Sequence, residues 1–314
     1  MDRPLYISDL VEPVLAHMSP KSRPTYKPAI MRLAQDHGGD QLAFVRLPQL
    51  ETIRDSMRRE ISERKVERAR ANGRRLMSYD PDAHGHGAAE NAVRGLRYFF
   101  RYAVNCGYLA VDPALNLKAP KRRPAPERPL TSEELADVWR GALCNSDDPE
   151  LDELILTTVR HTACRREGTI NLSVDHLNFE RASILLSEKN GKIRELPLRV
   201  DLLERLRGHA LSRGAQRPGD AVLRYKDGHP LTRRRFNTIF DRVDRTCGWT
   251  EPLDVGAHWI RHTTLADIAA VSGLRVAEKF AGHTDEELGV IGRYTKPTFE
   301  NLADAYEVVF GARR

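Results

Sequence analysis

The sequence has no run of about 18 apolar residues, the length a helix needs to cross a bilayer, so no membrane span is expected. Its first residues, MDRPLYISDLVEP, lack the basic-then-apolar layout of a secretory signal. Cysteine is scarce: Cys106, Cys144, Cys164 and Cys247 stand far apart with no C-x-x-C pair, which argues against a zinc knuckle and against a disulfide framework and leaves reduced thiols as the expectation. There is no internal repeat and no low-complexity tract. These absences point to a cytoplasmic globular protein.

What is present fits that class. A length of 314 residues allows two domains with a core each, and 40% hydrophobic with 30% charged residues suits a soluble chain. The net charge of +6 is unevenly spread. Residues 1–120 carry 19 Lys+Arg against 14 Asp+Glu, residues 121–128 carry four against one, and the remainder 27 against 29. The excess of positive charge, which an anionic partner would use, therefore lies in the front half and at a junction.

Apolar periodicity predicts helices over 5–18, 22–37 and about 48–77, then from Ala88 to Cys106, where Val93, Leu96, Phe99, Phe100 and Val104 supply most of a first core. The third helix has a stripe of Leu50, Ile53, Met57 and Ile61 and is crowded with arginines. Such a face can follow a nucleic-acid backbone, but Glu60, Glu63 and Glu67 make an ion-paired solvated face the simpler reading. Asp80, Asp82, His84 and His86 lie in a glycine-containing loop too loose to be read as a metal site. Five prolines between Pro113 and Pro129, with Lys121, Arg122, Arg123 and Arg128, mark a stiff basic linker. Thr131 with Glu134 is a capping-box signature that restarts helix.

In the second half, helices are expected over 131–144, 149–164, 199–212, 231–247, 257–272, 275–281 and 298–310. Between them the period falls to two, with Ile184, Leu186, Ile193, Leu196 and Leu198 on strands and Lys189 to Lys192 as the hairpin turn. The fold expected is mainly α with a small antiparallel sheet (α+β): a helical domain over 1–115, a linker over 116–130 and a mostly helical domain over 131–314.

The stretch from Gly256 to Tyr294 carries the chemistry. It holds His258, Arg261, His283 and Tyr294, three side chains that handle protons or attack and one permanent cation whose fork matches phosphate oxygens. That set suits covalent attack on a phosphodiester. His258 and Arg261 are three apart on a helical pattern, hence on one face. His258 and His262 have metal-ligand spacing, but Arg261 would sit against the cation and no third ligand is near in sequence, so no metal is expected.

With TACRREGTINL, EKNGKIRELPL, HWIRH, AGH and RYTK in this order, residues 130 to 310 resemble the tyrosine recombinases of the phage-integrase and Xer type. On that resemblance the catalytic set is Arg165, Lys189, His258, Arg261, His283 and Tyr294. Two departures stand out: Gly168 occupies a position usually acidic in the family, with Glu167 one residue earlier, and the step from His283 to Tyr294 is about two residues longer than common.

The resemblance implies site-specific DNA recombination, with a helical core-binding domain in front, four subunits on two DNA sites, a possible accessory directionality factor, a nucleoid location and service to a mobile element. Arg165 and Arg261 would face the charge that gathers on a five-coordinate phosphorus. A phenol of pKa near 10 needs help to ionise, which His258 would give as base. Lys189 would protonate the departing 5′ oxygen and His283 would bond the phosphate, so that a 3′-phosphotyrosyl link forms without ATP or metal. Arg233, Arg234 and Arg235, with Lys121, Arg122 and Arg123, are the expected DNA contacts. The alternatives are a type IB topoisomerase or telomere resolvase of the same chemistry, a DNA-binding regulator that has lost it, and a metal-dependent nuclease.

Overall fold

A computed structural model describes residues 4–71, 85–120, 128–187, 193–283 and 297–314. The chain divides into two compact units, Met1–Pro124 and Ala125–Arg314.

The first unit is helical: α1 (Ile7–His17), α2 (Arg23–His37), α3 (Leu47–Ala71) and α4 (His86–Asn105). Ile7, Leu10 and Val14 of α1, Ile30 and Leu33 of α2, Leu50 and Ile53 of α3, and Leu96, Phe99 and Phe100 of α4 are all buried in one core. Gly95 lets α2 and α4 touch, because a Cβ there would stand 2.9 Å from the carbonyl oxygen of Tyr26. The apolar line of α3 departs from the expected one: Ile61 is exposed, and Ser62 and Val66 turn inward instead. Arg32 of α2 meets Glu60 at 2.5 Å and Arg54 meets Asp55 at 2.8 Å, so of the three glutamates Glu60 is shown in an ion pair. His86 opens α4, while Asp80, Asp82 and His84 lie outside the described residues, as do Lys121, Arg122 and Arg123.

The second unit begins with α5 (Ser132–Leu143), whose Thr131 and Glu134 form the expected capping box. Arg128 clasps Glu134 with two bonds of 2.6 Å, which holds that carboxyl at a pKa of about 2. Then come α6 (Pro149–Thr162), the short α7 (Arg166–Ile170), a sheet of β1 (Leu177–Asn178), β2 (Ser183–Ser187) and β3 (Ile193–Pro197), and α8 (Val200–Ser212). The sheet is antiparallel in the order β1-β2-β3, with Ile184 opposite Leu196 and Leu186 opposite Arg194. The rest is α9 (Arg233–Thr246), α10 (Thr250–Leu253), α11 (Ala257–Ser272), α12 (Leu274–Ala281) and α13 (Phe299–Phe310). Among the described residues no helix is long and apolar enough to cross a membrane.

Charge, too, holds this unit together. Asp152 of α6 is wholly buried and receives Arg235 of α9 at 2.6 and 2.9 Å, together with Arg242. Arg213, at the end of α8, reaches Asp148 at 2.8 Å.

Candidate active site

Two helix ends build the site. Helix α6 stops because Ala163 turns left-handed (φ 47°), and Arg165 follows as the extended residue that opens α7. Helix α12 stops at Gly282, also left-handed (φ 76°), and His283 follows. A helix C-terminus exposes unpaired carbonyls and partial negative charge, which cations satisfy.

Arginines from two other elements do so here. Arg261 of α11, only 4% exposed, donates from Nη1 to the carbonyl of Ala163 and from Nη2 to that of Ala281 at 2.8 Å. Arg194 of β3 donates to the carbonyl of Phe280 and lies 3.4 Å from those of Thr162 and Ala163. Burial of a guanidinium is tolerable only with such partners. The outcome is a clamp that holds the turn two residues before Arg165 against the turn two residues before His283.

His258 stands one helical turn before Arg261 and is exposed, as are Arg165 and His283. Its Nε2 lies 2.8 Å from Nε2 of His262, with the rings at 84°. Four of the six expected catalytic residues thus belong to the elements joined by this clamp. Lys189 and Tyr294 lie outside the described residues. Among the described residues no group of three His, Cys, Asp or Glu could hold a metal ion.

The arginines expected to contact DNA divide. Arg234 is exposed, and Arg233 is exposed but bonded to Glu167 at 2.6 Å. Arg235 is buried, its guanidinium committed to Asp147 and Asp152, so the expected DNA contact gives way to a structural one. In R-R-R one of three side chains must face inward when α9 packs, and the sequence did not say which. Glu167, turned to Arg233, and Gly168, buried in α7, define the surroundings of the expected acidic position.

Arg194 stands out in the sequence only within EKNGKIRELPL, one of the runs that carry the resemblance, and nothing there places it against two helix ends. Nor does the sequence mark His161, whose Nδ1 lies 2.6 Å from the hydroxyl of Tyr306 and whose ring stacks on Phe310 at 4.4 Å. Burial, then the nearby Arg160 and Arg199, push its pKa down to about 4. Tyr306 is itself fully buried, and α13 packs on α11, α12 and β3 of its own unit.

Beside the clamp lies a groove of about 360 Å³ lined by Leu265, Ala269 and Ala277 together with Arg128, His262 and His283.

The second unit is thus helical with one small three-stranded antiparallel sheet. Residues 130–301 match the phage integrase family, and the chain belongs to that family, the tyrosine recombinases. Tyrosine recombinase XerC of Azotobacter vinelandii is 26% identical over 227 residues, which is 71% of this chain and 74% of that protein. The XerC protein of Pseudomonas aeruginosa (strain LESB58) is 27% identical over 220 residues, 69% and 70% of the two chains. Among solved structures, a lambda integrase dimer bound to a COC′ core site has a TM-score of 0.63 at 14% identity, covering 90% of this chain and 96% of that one. The Tn1549 transposon integrase in complex with transposon right end DNA has a TM-score of 0.63 at 15% identity, covering 98% and 100%. These two likenesses are of fold.

Proposed function

We propose that the protein cuts and rejoins DNA at a specific site through a 3′-phosphotyrosyl link on Tyr294, as the recombinase of a mobile element. The observation that supports this reading is the clamp: Arg261 bonds the carbonyls of both Ala163 and Ala281, two residues before Arg165 and two before His283. In the reaction Arg165 and Arg261 stabilise the charge on the non-bridging oxygens of the phosphorus. His258 accepts the phenolic proton, the phenolate attacks phosphorus, and the bond from phosphorus to the 5′ oxygen breaks. Lys189 protonates that oxygen and His283 bonds the phosphate. The ester keeps the bond energy, so rejoining requires no ATP and no metal.

The wider proposal follows the same lines. Residues 1–115 bind the DNA core site, 116–130 are a basic proline-rich linker and 131–314 perform the chemistry, with four subunits on two sites and an accessory factor setting direction. The lambda integrase tetramer in its solved structure is bound to a Holliday junction.

Duplexes retained by the protein from a random pool, then nicked to make suicide substrates, test this. Wild type forms a covalent adduct that EDTA leaves untouched, and Tyr294→Phe binds the same DNA without one. Relaxation of plasmids that lack the selected site indicates the topoisomerase alternative. Gly168 favours one second reading, a regulator that binds DNA and has lost the chemistry, because no carboxylate stands at that buried position of α7. Binding without any wild-type adduct on selected duplexes decides for it.

A further inference from the structure

We propose that His262 is a positioning residue for His258, the two imidazoles sharing one proton along their Nε2···Nε2 contact. This rests on the strand-transfer reading above, which makes His258 the base.

The contact is 2.8 Å long between rings that are nearly perpendicular, with centroids 4.3 Å apart. Two nitrogens at that distance hold one proton between them: two lone pairs repel, and two N–H groups collide. The pair is therefore neutral, with one ring donating, or singly charged, with the charged ring donating to the other. When His258 donates from Nε2 to His262, its ring plane is held and its Nδ1 keeps the lone pair that takes the phenolic proton.

The proton balance of the cutting step follows. When the phenol is deprotonated, its proton ends on the pair, which passes from neutral to a single positive charge. The oxygen to phosphorus bond then forms and the 5′ oxygen leaves with a proton from Lys189. A charge-assisted bond inside the pair is stronger than the neutral one, so His262 stabilises the state that proton uptake creates. Rejoining reverses the transfer.

The surroundings suit a shared proton. His262 lines the groove with Arg128, Glu278 and His283. Arg128 is committed to Glu134 at 2.6 Å, and Glu278 pairs with Arg275 at 3.2 Å. On α11 itself Arg261 is turned inward to carbonyls, and Asp267 pairs with Arg160 of α6 at 2.6 Å.

The test uses the full chain and two readouts. Nitrogen NMR of the free protein follows the tautomers of His258 in wild type, His262→Gln and His262→Phe. A shared proton gives coupled titration of the two rings in wild type, lost in His262→Phe. Adduct formation on the suicide duplex is then measured against pH. His262→Phe, which keeps a flat ring, is expected to be about tenfold to a hundredfold slower, the range for loss of an orienting partner. Its acid limb moves to lower pH, and His262→Gln, which can still bond Nε2, recovers most of the rate. A Phe variant as fast as wild type with an unchanged profile, or independent titration of the two histidines in wild type, overturns the proposal. A wild-type chain with coupled titration but no adduct removes the strand-transfer reading and leaves the shared proton standing.

Discussion

Nη2 of Arg261 lies 2.8 Å from the carbonyl oxygen of Ala281 while its Nη1 donates to the carbonyl of Ala163, so one side chain spans two helix ends. Lysine at this position keeps the charge and loses the fork, and it can serve only one end. Arg261→Lys should cost about 1–3 kcal/mol of stability, because a buried carbonyl loses its donor. Covalent adduct formation should fall about a hundredfold if Arg261 also stabilises the transition state. Urea denaturation and the suicide duplex read the two effects separately. An Arg261→Lys protein with unchanged stability shows that the clamp is not what holds these turns.

Asp152 offers a purely structural contrast. It is completely buried and receives Arg235 and Arg242, both of α9. Its removal deprives buried Arg242 of its carboxylate and leaves Arg235 with Asp147 alone, which typically costs about 3–5 kcal/mol. Asp152→Ala should therefore lower the urea midpoint sharply. Arg233→Ala, which loses only an exposed pair with Glu167, should change stability by about 1 kcal/mol or less. Similar costs for the two would show that burial does not govern them.

His161 makes stability depend on pH. Its pKa is about 4 in the folded chain, lowered by burial and then by Arg160 and Arg199, against an ordinary value of 6.5. Between these values the unfolded chain binds a proton that the folded chain refuses, so stability rises with pH across this window. The contribution is complete above about 6.5 and is lost as pH falls towards 4, by about 3 kcal/mol over the full range. Denaturation midpoints of wild type and His161→Gln from pH 7 to 4 should converge as the pH falls. Parallel curves would show that His161 does not titrate with folding.

How much of this was legible in the sequence depended on the kind of signal. Helices with a long apolar stripe, such as α4 and α11, were visible from periodicity, and the box of Thr131 and Glu134 fixed the start of α5. The helices α7 and α10 are too short, at five and four residues, to show a period. The pair β1 is two residues long and exists only because β2 lies beside it. In the candidate site, side-chain chemistry named Arg261 and His258. The inward turn of Arg235 remained invisible: in R-R-R it looks like surface charge until a packed helix assigns its direction.

Gly282 shows how a backbone constraint enters the site. Its φ of 76° is left-handed, and an added Cβ would stand 3.0 Å from Cδ of Arg194, whose guanidinium bonds the carbonyl of Phe280. Alanine must adopt a conformation that costs about 1–2 kcal/mol and must also push a side chain that the clamp holds. Gly208 is the control, because it lies within α8 with nothing within 4 Å of its would-be Cβ. Gly208→Ala should stabilise the protein by about 0.4–1 kcal/mol, whereas Gly282→Ala should destabilise it and slow adduct formation, because His283 is the next residue. Thermal melts of both variants give opposite signs if the left-handed turn is required. A Gly282→Ala protein that melts no lower than wild type would show that the helix end can close by another path.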